Sequence, residues 1–211
     1  MASGIIICKA NGGQNLTGIA ASQTIAAAGG TFTINGSLAT GGVATVGTKW
    51  GRKVIVSSAA TLTSAMIVTL TGEFFASAST GATTNTMAIA GSNTSTMTGA
   101  LYAVSVSNAV ASTMTAGLYT IGVTSDGQGQ PMTLSGAPLY QIVYGGTPAG
   151  ATSIVQAYDD DLGEWTGLDA GTTTASRINY ELPPSLTVRG VTTGGSTTTA
   201  IGIVAHPINR R

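Results

Sequence analysis

Thr31-Phe32-Thr33-Ile34-Asn35-Gly36-Ser37-Leu38 is the stretch on which the fold class turns. Apolar and polar residues alternate through its first half, the period-two pattern of a half-buried strand. Asn35-Gly36 is a dipeptide that accepts the positive φ of a tight hairpin at both central positions. The stretch predicts a strand, a turn, and a return strand beginning near Leu38. The same signature recurs at 54–56, 66–70, 87–89, 102–106, 118–123, 140–143, 153–158, 186–189 and 201–204, each run bounded by Gly, Ser, Thr or Asn. Helix signals are scarce, because Glu, Lys and Arg are few and β-branched residues or glycine break any 3.6-residue face. About ten short strands at fairly even spacing predict an all-β chain, an antiparallel β-sandwich of jelly-roll-like build.

The segment 1–20 reads as an extended N-terminal arm and 21–211 as a single sandwich domain. Ile5, Ile6 and Ile7 precede the flexible Asn11-Gly12-Gly13-Gln14-Asn15. Such a triplet docks either as an added strand on a neighbouring copy or as an edge strand of its own domain. Residues 192–200, with their Thr run, read as a hairpin loop.

Composition narrows the class of function. Of the 211 residues only 8% are Asp, Glu, Lys or Arg, against roughly 25% in an ordinary soluble domain. A folded monomer of this size exposes roughly 9,000 Å², which leaves about one charge per 550 Å². With a formal net charge of zero, little repulsion holds copies apart, so much of the surface is expected to be covered by further copies or by a larger assembly. Outward strand positions are mostly Thr and Ser, and few Lys or Pro residues guard the edges. No basic stripe points to nucleic acid. No run approaches the roughly 18 apolar residues of a membrane-spanning helix. The lone Cys8 excludes an internal disulfide and fits maturation in a reducing cytoplasm.

Few residues suggest chemistry. His206 is the sole histidine, and no Gly-x-Ser-x-Gly elbow or nearby acid supports a catalytic role for it. Asp159, Asp160, Asp161 and Glu164 are the metal candidates, since hard cations take several carboxylate oxygens. Their spacing departs from an EF-hand loop, and a solvated turn or an intersubunit salt bridge accounts for the same residues. Asp126-Gly127-Gln128-Gly129-Gln130-Pro131 lacks the Lys and following helix of a phosphate loop and reads as a turn. Lys49, Trp50, Arg52 and Lys53 place three cations beside an indole. They read as guards of the following strand or as a patch meeting an acidic neighbour, with nucleic-acid stacking as the other reading. Arg210 and Arg211 close the chain as further interaction candidates. No cofactor is expected.

Gln23-x-x-Ala26-Ala27-Ala28-Gly29-Gly30-x-Phe32-x-Ile34-Asn35-Gly36-x-Leu38-x-Thr40-Gly41-Gly42-Val43-Ala44 resembles the N-terminal part of virion structural proteins of tailed bacteriophages. Arg52-Lys53-Val54-x-Val56-x-Ser58-Ala59, Val68-Thr69-Leu70-Thr71-Gly72 and Ile121-Gly122-Val123-x-x-Asp126-Gly127 are similar to successive strands of that group. So are Ser176-Arg177-x-x-Tyr180-x-x-Pro183 and Val188-Arg189-Gly190-Val191-Thr192. Asn85 departs from the pattern where an acidic residue is expected. The resemblance implies a non-enzymatic structural protein of the virion, assembled in the host cytoplasm, that decorates and cements the capsid exterior. Its partners would be the major capsid protein and itself, as a homo-oligomer, with neither nucleic acid nor membrane. A tail, adaptor or carbohydrate-recognising host-receptor component, using Thr/Ser/Asn-rich loops and Trp50 or Trp165, is the alternative.

Overall fold

The computed structural model describes residues 4–10, 13–26, 29–47, 49–59, 66–77, 81–91, 96–134, 139–182 and 185–208. The first strands are β1 (Ile5–Ala10), β2 (Asn15–Ile25), β3 (Thr31–Phe32), β4 (Ala39–Thr40), β5 (Val43–Thr45) and β6 (Trp50–Ser58). Next come β7 (Met66–Ser77), β8 (Gly81–Gly91), β9 (Thr96–Thr113), β10 (Gly117–Gly129), β11 (Met132–Thr133) and β12 (Leu139–Thr147). The last are β13 (Thr152–Asp159), β14 (Glu164–Gly167), β15 (Ser176–Glu181), β16 (Thr187–Thr193) and β17 (Ala200–Pro207). No helix occurs among the described residues, and the paired strands run antiparallel. The chain is all-β, as the alternation predicts.

Contacts divide it into two compact units, one drawn from Met1–Gly13, Ser77–Gly81 and Ser125–Arg211, the other from Gln14–Ala76 and Ala82–Thr124. The expected domain of 21–211 draws on both units. The boundary at Thr124–Ser125 falls inside the continuous strand β10, so no Pro/Gly-rich linker or change of composition announces it.

The first unit is a pair of facing sheets. One has the order β1-β17-β12-β15 and the other β14-β13-β16-β10, with the short β11 added to β16. Numbering the eight main strands of this unit along the chain, the orders are first-eighth-third-sixth and fifth-fourth-seventh-second. Every second residue points inward, as the pleat demands: Tyr140, Ile142 and Tyr144 on β12, Ser153, Val155 and Ala157 on β13, Ile201, Ile203 and Ala205 on β17 are buried. The two buried hydroxyls Ser153 Oγ and Thr192 Oγ1 satisfy each other at 3.1 Å. Between the sheets, Gly190 on β16 faces Cys8 and Ile203, and a methyl group there would lie 2.5 Å from the Cys8 Cβ.

β1 belongs to this unit. Ile5 and Ile6 pair with Ala205 and Val204, and after a bulge Cys8 pairs with Ile203. The bulge turns two consecutive residues inward, and Ile7 and Cys8 are both fully buried. Asn15–Ile25 likewise pairs with β10. Residues 5–10 and 15–20 of the expected arm are therefore strands of the chain's own sheets, the edge-strand alternative for that segment. Burying a side chain such as Ile7 is worth about 1.5–3 kcal/mol, which a free arm forgoes. Residues 194–199 link β16 to β17 in opposite sheets, a crossover where a hairpin loop was expected.

In the second unit the long strand β9 pairs with β7 along one edge and with β6, β5 and β3 along the other. β6 is followed by β10 and β10 by β2. Apolar side chains from these strands, including Ile19, Phe32, Val54, Leu70, Phe74, Ile89, Met97, Tyr119 and Ile121, form one buried cluster. The hairpin expected at Asn35-Gly36 is displaced. Thr40 pairs with Val43 across Gly41-Gly42, which take φ of +61° and +80° as a two-residue turn of this type requires. Asn35 instead accepts a hydrogen bond from the Ala21 amide at 3.0 Å, while Gly36 donates its amide to the Ile19 carbonyl. A side chain on Gly36 would collide with the Gly18 carbonyl oxygen, at 2.3 Å.

Candidate functional site

The residues singled out from the sequence do not converge on one site. Arg210 and Arg211 lie outside the described residues. In the second unit the basic cluster is split by the pleat of β6. Lys49 is exposed, Trp50 and Lys53 are half-buried with partners of their own, and Arg52 turns inward with 7% of its surface accessible. The Arg52 guanidinium donates to the Thr124 carbonyl through Nη2 at 2.7 Å and Nε at 3.2 Å. Desolvation lowers its pKa. Arg52 thus serves as an internal tie between β6 and β10.

In the first unit Asp159 and Glu164 form the last pair of the β13–β14 hairpin. Asp159 Oδ1 accepts the amides of Asp161 and Leu162, both at 3.0 Å, so this carboxylate closes the turn on itself. Asp160, Asp161 and Glu164 are exposed, as is Leu162 between them. Among the described residues no group of three or more His, Cys, Asp or Glu side chains converges on a point where a metal ion could sit. The turn reading of these residues is the one the geometry supports. Asp126-Gly127-Gln128-Gly129, read from the sequence as a turn, is the buried end of β10. Asp126 Oδ1 accepts the Gly194 amide at 2.9 Å.

Cys8 is sealed between the two sheets of the first unit. Burial pushes its thiol up to about 12, against small opposing contributions from the Gly129 backbone and the Thr192 side chain, so at neutral pH the nucleophilic thiolate is absent.

Two constellations were not assembled from the sequence, although Trp165 of the first was named there as a recognition candidate. On the outer face of the β14-β13-β16 sheet, Tyr158 and Trp165 are cross-strand partners with ring centroids 5.3 Å apart at 52°. The Arg189 guanidinium carbon lies 4.2 Å from the centroid of the Trp165 ring, and Arg189 Nε donates to Gln156 Oε1 at 2.9 Å. The symmetry of Tyr158 and Trp165 about the Asp-rich turn is a signal that could have paired them. A sugar stacking on this indole must displace the guanidinium from the face it covers.

The second constellation lies beside a cleft lined by Tyr144, Gly145, Pro148, Ser153, Thr172, Thr174, Ala175 and Ile201, about 180 Å³ with its solvent-open part included. Tyr144 and Ser176 are cross-strand partners on β12 and β15, and the Tyr144 hydroxyl and Ser176 Oγ are buried without a hydrogen-bond partner. Tyr180 donates its hydroxyl to Asp169 Oδ2, and Asp169 Oδ1 accepts the Gly171 amide at 2.7 Å. Burial, reinforced by the Asp169 charge, pushes Tyr144 up to about 12. Burial and then the bond to Asp169 raise Tyr180 further. These phenols stay protonated at neutral pH, and the bond from Tyr180 to Asp169 ties the 168–175 loop to β15. Nothing in the sequence spacing brings Asp169 to Tyr180, because the loop between them sets the contact.

The chain matches no protein-family model, no curated protein and no solved structure.

Proposed function

We propose that this chain is a structural component of a tailed-phage virion that coats the capsid exterior as a homo-oligomeric cement protein and works by contact, without catalysis. The observation that carries the reading is compositional: a folded chain with 8% charged residues and zero formal net charge presents neutral strand surface suited to repeated burial against copies and capsomers. The strand order of the first unit adds support. We read first-eighth-third-sixth facing fifth-fourth-seventh-second as a jelly-roll-like double Greek key, an architecture found among viral capsid and lectin domains. That sharing is a likeness of fold, and function still has to rest on the surface. The inward placement of Cys8 and Arg52, and the use of Asp159 as a turn, favour contact over reaction.

A tail or host-receptor-binding role is the second reading, favoured by the Tyr158–Trp165 pair on an outer sheet face. The ratio of this chain to major capsid protein in purified particles separates the two. Hundreds of copies per particle support cement, a dozen or fewer support the tail role, and absence from particles contradicts both.

A further inference from the structure

Among the described residues, five strands longer than three residues have a hydrogen-bonded neighbour on one side only: β1, β2, β8, β14 and β15. Such edges offer unpaired amides and carbonyls to another strand. β15 differs from the other four in its charge pattern. Its residues alternate between half-buried Ser176, Ile178 and Tyr180 and exposed Arg177, Asn179 and Glu181. The three exposed residues therefore share one face, with a cation and an anion two residues to either side of Asn179.

We propose that β15 pairs antiparallel with β15 of a second copy across a two-fold axis at Asn179. This deepens the self-associating role proposed above and rests on it. A two-fold antiparallel pairing sets residue 177 opposite 181 and residue 179 opposite itself. Each Arg177 then faces the Glu181 of the other copy, twice per interface, and the two Asn179 amides face each other at the centre. Opposite charges directly across a strand pair stabilise it, and like charges destabilise it. In β1 and β14 the single charges Lys9 and Glu164 have no opposite charge on their own strand to meet, and β2 and β8 have no charge to fix a register. The outer face of β12, which supports β15, offers half-buried Leu139, Gln141 and Val143 behind the charged row. The β15 edge thus encodes both the partner, a second copy, and the register.

The test is charge reversal on the full chain, read as molecular mass in solution by light scattering. The unaltered protein should have twice the 20.8 kDa of the single chain. Arg177→Glu and Glu181→Arg should each weaken the dimer at least about tenfold, since each sets like charges opposed at both contacts. The double exchange R177E/E181R should restore association to within about threefold of the unaltered chain. An unaltered chain that stays single, or an oligomer indifferent to all three variants, overturns the pairing. If a reversed chain loses its thermal transition, hydrogen exchange of the unaltered chain decides. Amides 176–181 protected only above the dissociation concentration support the pairing, and equal exchange at both concentrations overturns it. A chain that is single in solution yet abundant on particles ends this proposal and leaves the cement reading standing.

Discussion

Gly129 on β10 and Ile7 on β1 approach so closely that a methyl group on the glycine would lie 1.9 Å from the Ile7 carbonyl oxygen. The contact joins one strand of each sheet of the first unit, and it exists because Gly129 carries no side chain. It also explains why a sequence that looks like a turn is the interior end of a strand: Gly-Gln-Gly here supplies clearance, with no change of direction.

Gly129→Ala should therefore cost about 1–3 kcal/mol through overpacking against backbone that has no rotamer to yield. In a chain of this length that lowers the melting temperature by several degrees. Gly202→Ala is the control, since nothing lies within 4 Å of its added carbon, and it should leave the melting temperature unchanged or slightly raised. Calorimetry of the two variants checks the contrast.

The split of the basic cluster makes a second pair. Arg52→Ala removes both donors from the Thr124 carbonyl and should cost about 1–3 kcal/mol. Lys49→Ala, at an exposed position, should stay within about 0.5 kcal/mol of the unaltered chain. Denaturant unfolding of both variants measures the difference, and equal losses would refute the internal role of Arg52.

Alkaline stability follows from two buried acids. Cys8 rises from 9.0 to about 12 and Tyr144 from 10.0 to about 12 on folding. Above pH 9 the unfolded chain loses these protons while the folded chain retains them. The stability they contribute is therefore complete below pH 9 and is lost as pH climbs toward 12. Melting temperature should fall across that window, and Cys8→Ala with Tyr144→Phe should flatten the fall. In the native chain at pH 8, Cys8 should resist alkylation and should react only after denaturation.

The sequence made the strands legible because alternation is a local property. Every run predicted from 54–56 to 201–204 overlaps a strand, with Leu186 just outside β16. It hid whatever depends on chain placement at a distance. Asn35-Gly36 carries the chemistry of a hairpin, yet Asn35 is taken by the Ala21 amide and the hairpin forms at Gly41-Gly42. β1 reads as a separable arm because its partner, β17, lies almost two hundred residues on. Tyr180 and Asp169 meet through loop geometry that residue spacing does not encode. The Asp-rich turn was legible as a turn because Asp159 closes it within three residues.

The account stands on association with a shell. Its most direct test adds the purified chain to capsids that lack it and follows both bound mass and the temperature at which the shell comes apart. Saturable binding of hundreds of copies, with a higher disruption temperature, is the predicted result. Capsids that neither retain the chain nor gain any resistance to heat would contradict it.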